Sequence, residues 1–128
     1  SVTRAFIADS GNVGVGTTAP NAKFAVVGGQ AVSTYMNSSS STVDWNNGNI
    51  QETSAAAGTV TLNSMIDGGV YTLILSNATG GNYSLSATGI TFYCKPACPI
   101  ILTGGTNTVV TILKAGSKAL VSWGGGYQ

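Results

Sequence analysis

From about residue 42 to the C-terminus the chain is written in a period of two, and this pattern limits the fold more than any other feature. Val60 and Leu62 alternate with Thr59 and Thr61, and short apolar runs follow at residues 70–75, 83–87, 90–94, 109–113 and 119–123. Successive side chains on an extended strand point to opposite faces, so the alternation predicts strands, and the Gly- and Asn-rich stretches between the runs predict turns. Val70, Thr72 and Ile74 opposite Tyr71, Leu73 and Leu75 predict a strand that is apolar, and buried, on both faces. Val43 and Trp45 on one side and Ile50 on the other flank Asn46-Asn47-Gly48, whose tolerance of positive φ predicts a hairpin. Helix signals are weak. Ala55-Ala56-Ala57 runs into Gly58 and Met65-Ile66-Asp67 into Gly68-Gly69, so each allows one turn at most. The reading is an all-β chain, an antiparallel, jelly-roll-like β-sandwich. If successive strands from Val70 onward are antiparallel neighbours, residues 77–82, 94–107 and 124–128 gather at one end and residues 63–69, 86–89 and 114–117 at the other.

The length of 128 residues fits one domain with a short appendage. Only 7% of residues are charged, against roughly 25% in ordinary soluble domains, while 43% are apolar and mean hydropathy is +0.26. Ser, Thr, Asn and Gly fill the polar positions, a surface suited to subunit contacts or carbohydrate. Arg4, Lys23, Lys95, Lys114 and Lys118 are scattered and the net charge is +1, so no stripe of cations marks a nucleic-acid partner. There is no run of about 18 apolar residues, so no membrane insertion is expected. The chain opens on Ser1 without initiator Met or signal-like segment, and is expected to be a piece of something longer.

The absence of His removes Ser-His-Asp catalysis and His-ligated metal sites. The carboxylates are Asp9, Asp44, Glu52 and Asp67. A glycosidase needs two of them facing one another. Asp44 and Glu52, flanking the predicted hairpin, form the one candidate pair, but surface or turn roles are the favoured reading. A protein without catalytic residues, metal or organic cofactor is expected. Cys94 and Cys98 enclose Lys95-Pro96-Ala97, which is neither a redox C-x-x-C nor a zinc set. A disulfide in an exported protein is favoured over two free, half-buried thiols.

Trp45, Tyr71, Tyr93 and Trp123 lie inside apolar runs and are assigned to the core or to contacts between subunits. Tyr83 and Tyr127 adjoin "NATGGN" and "GGG", which share the predicted end with the Cys94 to Cys98 loop. Asn77, Thr79, Asn82, Tyr83, Lys95 and Tyr127 are therefore the candidate ligand-facing set, polar and aromatic loop residues on a rigid scaffold.

Residues 14–19 satisfy G-x-G-x-x-A, a dinucleotide-binding spelling. A phosphate turn needs a helix after it to present free amides, and Pro20 and the strand-like "AKFAVV" of residues 22–27 leave no room for one. The wider segment "GNVGVGTTAPNAKFAVVGG" resembles instead the GNVGIGTT-x-P-x-x-K-L-x-V segment of bacteriophage tail fibres and related bacterial surface fibres. The matching residues are Gly11, Asn12, Val13, Gly14, Gly16, Thr17, Thr18, Pro20, Lys23 and Val26, with Val15 and Phe24 as conservative departures. The resemblance implies a homotrimeric stalk over residues 1–29, with Val13, Val15, Phe24 and Val26 offering apolar contacts to neighbouring chains. Residues 30–128 resemble, through "VDWNNGNIQ", "MIDGGVYTLIL", "GITFYCKP" and "LVSW", the β-rich tips of trimeric tail-fibre-like adhesins of predatory bacteria. With no chaperone-endosialidase segment after Gln128, these residues are read as the distal end. What the resemblance implies is an intertwined homotrimer outside the cell, on a bacterial fibre or a virion tail fibre, whose tip binds a cell-surface molecule, a glycan above all. A purely structural trimerisation or capping head and a polysaccharide-depolymerising tail-fibre enzyme are the alternatives.

Overall fold

The computed structural model describes residues 5–26 and 35–128, and the chain divides into two compact units, Ser1–Val32 and Ser33–Gln128. In the first unit β1 (Ala5–Ile7) pairs antiparallel with β2 (Val13–Val15), which pairs in parallel with β3 (Phe24–Val26). The glycine segment explains why so short a sheet holds together. Asn12 Nδ2 donates to Pro20 O at 3.1 Å, which folds residues 16–20 back over β2, and Gly14 lies buried beneath them. A Cβ on Gly14 would stand 2.6 Å from Thr17 O, so only glycine fits. No helix follows the glycines, and the anion-binding geometry of a dinucleotide turn is absent from the described residues. Phe6, Gly14 and Ala25 share the covered face by register, whereas Ile7, Val13, Val15 and Phe24 share the other. Ile7 and Phe24 on that second face are 72% and 65% exposed.

The second unit begins as a chain that changes sheet at every strand. β4 (Tyr35–Ser38), β6 (Ile50–Thr53) and β8 (Val70–Leu75) lie side by side in one sheet, while β5 (Thr42–Asp44), β7 (Gly58–Asn63) and β9 (Gly80–Ser86) lie side by side in the other. All neighbours within these two triplets are parallel. The remaining strands close the stack. β10 (Thr91–Lys95), β11 (Ile100–Thr103), β12 (Asn107–Ala115) and β13 (Lys118–Tyr127) complete a six-stranded sheet, β10-β13-β12-β8-β6-β4, and a four-stranded sheet, β11-β9-β7-β5. β8 with β12, β12 with β13, and β9 with β11 are antiparallel, and β10 with β13 is parallel.

The all-β expectation stands, but the pairing is mixed and the uniformly antiparallel expectation is corrected. Its source is the Asn46-Asn47-Gly48 segment. Trp45–Asn47 forms a 3₁₀ turn capped by Asp44, whose carboxylate accepts from Asn46 N at 3.0 Å. That turn carries the chain from β5 in one sheet to β6 in the other, as an arch and not a hairpin. An arch buries side chains between its two strands, whereas a hairpin pairs their backbones, and Trp45 inside this arch is buried against Tyr71 with ring centroids 4.6 Å apart. Both connections reverse the chain, so the sorting of loops survives for residues 77–79, 104–106 and the C-terminus at one end and for 64–69, 87–90 and 116–117 at the other. It is corrected for residues 94–99, which cross between the sheets beside Ser122 and Tyr83, partway along β13 and β9. Residues 63–65, 87–90, 114 and 116 line one shared cleft at one end. At the other end Asn77 Nδ2 reaches Ala55 O, and Gly104 packs on Ala78 and Thr79.

One core fills the space between the sheets. Val43, Val60, Leu62, Tyr83, Ile100 and Leu102 from the four-stranded sheet meet Tyr71, Leu73, Leu75, Val110, Ile112 and Val121 from the six-stranded one. Each such side chain contributes about 1.5–3 kcal/mol when fully buried. β8 buries one face only, since Tyr71, Leu73 and Leu75 point inward and Val70 on the other face is exposed, which corrects the two-sided burial read from its sequence. Tyr93, read as core or subunit contact, stands on the outer face and is 57% exposed. Among the described residues no helix is long and apolar enough to cross a membrane.

Candidate functional site

The six residues singled out from the sequence do not form one patch. Asn77 is buried and turns inward: Nδ2 donates to Ala55 O at 3.1 Å, and Oδ1 accepts from both N and Oγ1 of Thr79 at 2.9 Å. Tyr83 is fully buried, its hydroxyl donating to the same Ala55 carbonyl at 2.7 Å. These two side chains tie the arch at Ala55 to β9 and to the loop before it, and neither is presented to a ligand, which removes them from the ligand-facing set. The reason is geometric, since Tyr83 opens inward after the irregular Gly81-Asn82 step and so joins the core. Thr79 is exposed in the loop before β9, Asn82 lies on β9 in register with the exposed Ile101, and Tyr127 closes β13 opposite Asn107. This end is otherwise built from small residues. A Cβ on Gly104 would come within 2.7 Å of Ala78 O, so the loops here touch backbone to backbone.

Lys95 lies elsewhere, on the outer face of the six-stranded sheet. β10 stops there, and residues 96–99 carry the chain across to β11 in the other sheet. Cys94 and Cys98 are joined by a disulfide across this crossing, with Cα atoms 5.3 Å apart. The Trp123 indole N–H donates to Ala97 O at 2.8 Å and fixes the same segment to β13. Ile100–Thr103, inside the loop expected over residues 94–107, is a strand; a four-residue apolar run after two prolines gives little periodicity to mark it.

The crossing sets β10 in register beside β13, and the outer face acquires ordered rows. Tyr93, Leu120, Leu113 and Val70 line up across four strands. Lys95, Ser122, Thr111 and Thr72 form the next row, and Thr91, Lys118 and Ala115 the row on the other side. A groove of about 440 Å³ runs over the β10, β13 and β12 part of this face. Sequence alternation in "TFYCK" places Thr91, Tyr93 and Lys95 on one side of β10, but nothing in it shows that β13 lies next to them in parallel.

A second cleft, of about 350 Å³, lies at the end where residues 63–65 and 87–90 meet. Lys114 Nζ pairs with Asp67, whose carboxylate also accepts from Gly116 N at 3.0 Å. The hydrogen bond from Lys114, with that from Gly116 and the Lys114 charge, holds Asp67 below the usual carboxylate range. Ser64 adopts φ of 61°, unusual for a residue with a Cβ, and accepts from Asn46 Nδ2 at 2.9 Å. Its hydroxyl, with the Asn46 amide, lowers the Asp44 carboxyl as well. Glu52 belongs to the other sheet from Asp44 and accepts from the Tyr35 hydroxyl. Each acid therefore serves a local structural bond, and the two are not flanking residues of one hairpin. Among the described residues no three His, Cys, Asp or Glu side chains gather as a metal site.

No protein family, curated protein or solved structure matches this chain.

Proposed function

We propose that the chain is the tip of a homotrimeric extracellular fibre, a non-enzymatic adhesin that recognises a cell-surface glycan. The observation that carries this reading is the uncovered face of the first unit. Its sheet is closed on one side by its own glycine loop, while Ile7, Val13, Val15 and Phe24 on the other side include two side chains more than three-fifths exposed. A unit of about 30 residues is too small to be stable on one half-covered sheet and needs further burial, which a threefold association supplies. The second unit supports the recognition half of the reading. Its exposed candidates Thr79, Asn82, Lys95 and Tyr127 stand on strands and tight loops over a closed core, a scaffold whose backbone needs no ordering on binding. Three equivalent sites on one axis multiply weak affinity against a repetitive target.

The test pairs light scattering with a glycan array on the purified chain. A mass of three chains and a reproducible set of array hits is the expected result. A monomer at micromolar concentration defeats the assembly, and a silent array on an intact trimer leaves a structural capping head.

A further inference from the structure

We propose that the outer face of β10, β13 and β12 binds a short acidic saccharide, with Tyr93 and Leu120 under the apolar side of the sugar and Lys95 and Lys118 taking carboxylates on either side. The proposal rests on the carbohydrate reading above and adds to it a place and a charge. Its geometry comes from the strand register. Tyr93 and Leu120 are direct neighbours, 57% and 47% exposed, and form the apolar middle of three rows on this face, with the groove lying over this row and that of Lys95 and Ser122. One row away in one direction stand Lys95 and Ser122, and one row away in the other stand Thr91 and Lys118. Alternate residues on a strand point to the same face, so both lysines, like Tyr93, stand on the outer one. Four residues of strand separate the two rows that carry the cations, about 13 Å.

An oligosaccharide has apolar C–H surfaces edged by hydroxyls, and this face offers the complement: an aromatic and aliphatic strip with hydroxyl and ammonium groups in the row on either side. The charge pattern selects the ligand further. Among the described residues of the second unit the acids are Asp44, Glu52 and Asp67, and each already accepts a hydrogen bond from Asn46, Tyr35 or Lys114. Of the lysines, Lys114 is paired with Asp67, while Lys95 and Lys118 have no carboxylate within ion-pair distance among those residues. The two uncompensated cations of this unit thus stand on adjacent strands, flanking the exposed aromatic ring. A neutral sugar would leave both unused, and an anionic one matches them.

The experiment titrates the full chain with tetragalacturonate and, as a neutral partner of the same sugar, its fully methyl-esterified form, followed by NMR amide shifts. The acid is expected to bind more tightly than the ester, with shifts centred on Tyr93, Leu120 and Ser122. Lys95→Met and Lys118→Met should each weaken the acid about fivefold and leave the ester unchanged. Tyr93→Ala should weaken both ligands about tenfold, with circular dichroism and light scattering unchanged. Equal binding of acid and ester overturns the charge selection. Shifts centred on Thr79 and Tyr127, or silence toward the acid alongside array hits with other sugars, overturn the site and leave the carbohydrate reading intact. Silence toward the acid and toward every glycan on the array removes both. A change of oligomeric mass in Tyr93→Ala gives this face to a second copy of the chain and overturns the proposal.

Discussion

The two units solve the same problem, an apolar sheet face that must leave water, in opposite ways. The second unit turns two such faces toward one another and closes a core of its own, with Leu73, Leu75, Val110 and Ile112 wholly removed from solvent. The first covers one face with residues 16–20 and leaves Ile7 and Phe24 on the other. The difference teaches that exposed apolar residues carry different meanings in the two units. In a unit with a finished core they are surplus to folding, whereas in one without they leave a face that still needs burial, the face that the proposed threefold association would cover.

That contrast can be broken most directly by loading the open face with charge. Ile7→Asp combined with Phe24→Asp should convert the assembled species to monomer in light scattering while the circular dichroism of the second unit persists. An unchanged mass would place the assembly contacts elsewhere. Next in size is the core itself. Leu73→Ala should cost about 2–5 kcal/mol in denaturant unfolding, the range for a deeply buried Leu, and should not change oligomeric mass in the folded state. A smaller effect is expected at the Ala55 hub, where Tyr83→Phe removes one of two donors to the same carbonyl. A loss of about 1 kcal/mol is expected, because Asn77 still satisfies that oxygen.

The smallest is a pH effect at Asp67. Its folded pKa is lowered by Lys114 and Gly116, so the stabilisation is present above the unfolded carboxylate value near 3.9 and disappears as pH falls through the folded one. Melting temperature should therefore fall more between pH 5 and pH 2 in the parent than in Asp67→Asn. Equal slopes would show that the pair contributes nothing.

Strand positions were legible because alternation is a property of each strand alone. Val60 and Leu62, or Leu73 and Leu75, announce an inward face whatever lies beside them. Partners were not legible, because a short turn closes a hairpin within a sheet or an arch between sheets with similar residues. Asn46-Asn47-Gly48 carried a hairpin's spelling, and what decided otherwise was Trp45, a side chain large enough to be worth enclosing between β5 and β6. The gathering of most loops at two ends is nonetheless readable, since hairpin and arch both reverse the chain; the exception is residues 96–99, which change sheet without reversing it. The site was read less well. Tyr83 was judged by the glycine-rich loop before it, although its spacing of two from Leu85 already placed it on the inward-facing side. For Tyr93 the apolar run points to the core as one of two places, whereas alternation sets it with Thr91 and Lys95 on the outer face, which removes the core and leaves the subunit contact. In both residues the face shared along the strand, and not the neighbours in sequence, decides where the ring goes.

The alternation of strands β4 to β9 between two sheets has a consequence for how such a protein changes length. Each successive pair, one strand per sheet, lies on its predecessor as one layer of a stack, and β10 to β13 shut the stack on one side only. The opposite border is formed by the short strands β4 and β5, with one edge of each unoccupied by any described strand. A duplicated layer added at that border would widen the protein without disturbing the loops at either end or the groove on β10, β13 and β12. The architecture therefore separates growth from the groove: layers can be gained or lost at the β4 and β5 border while the border closed by β10 to β13 keeps its shape.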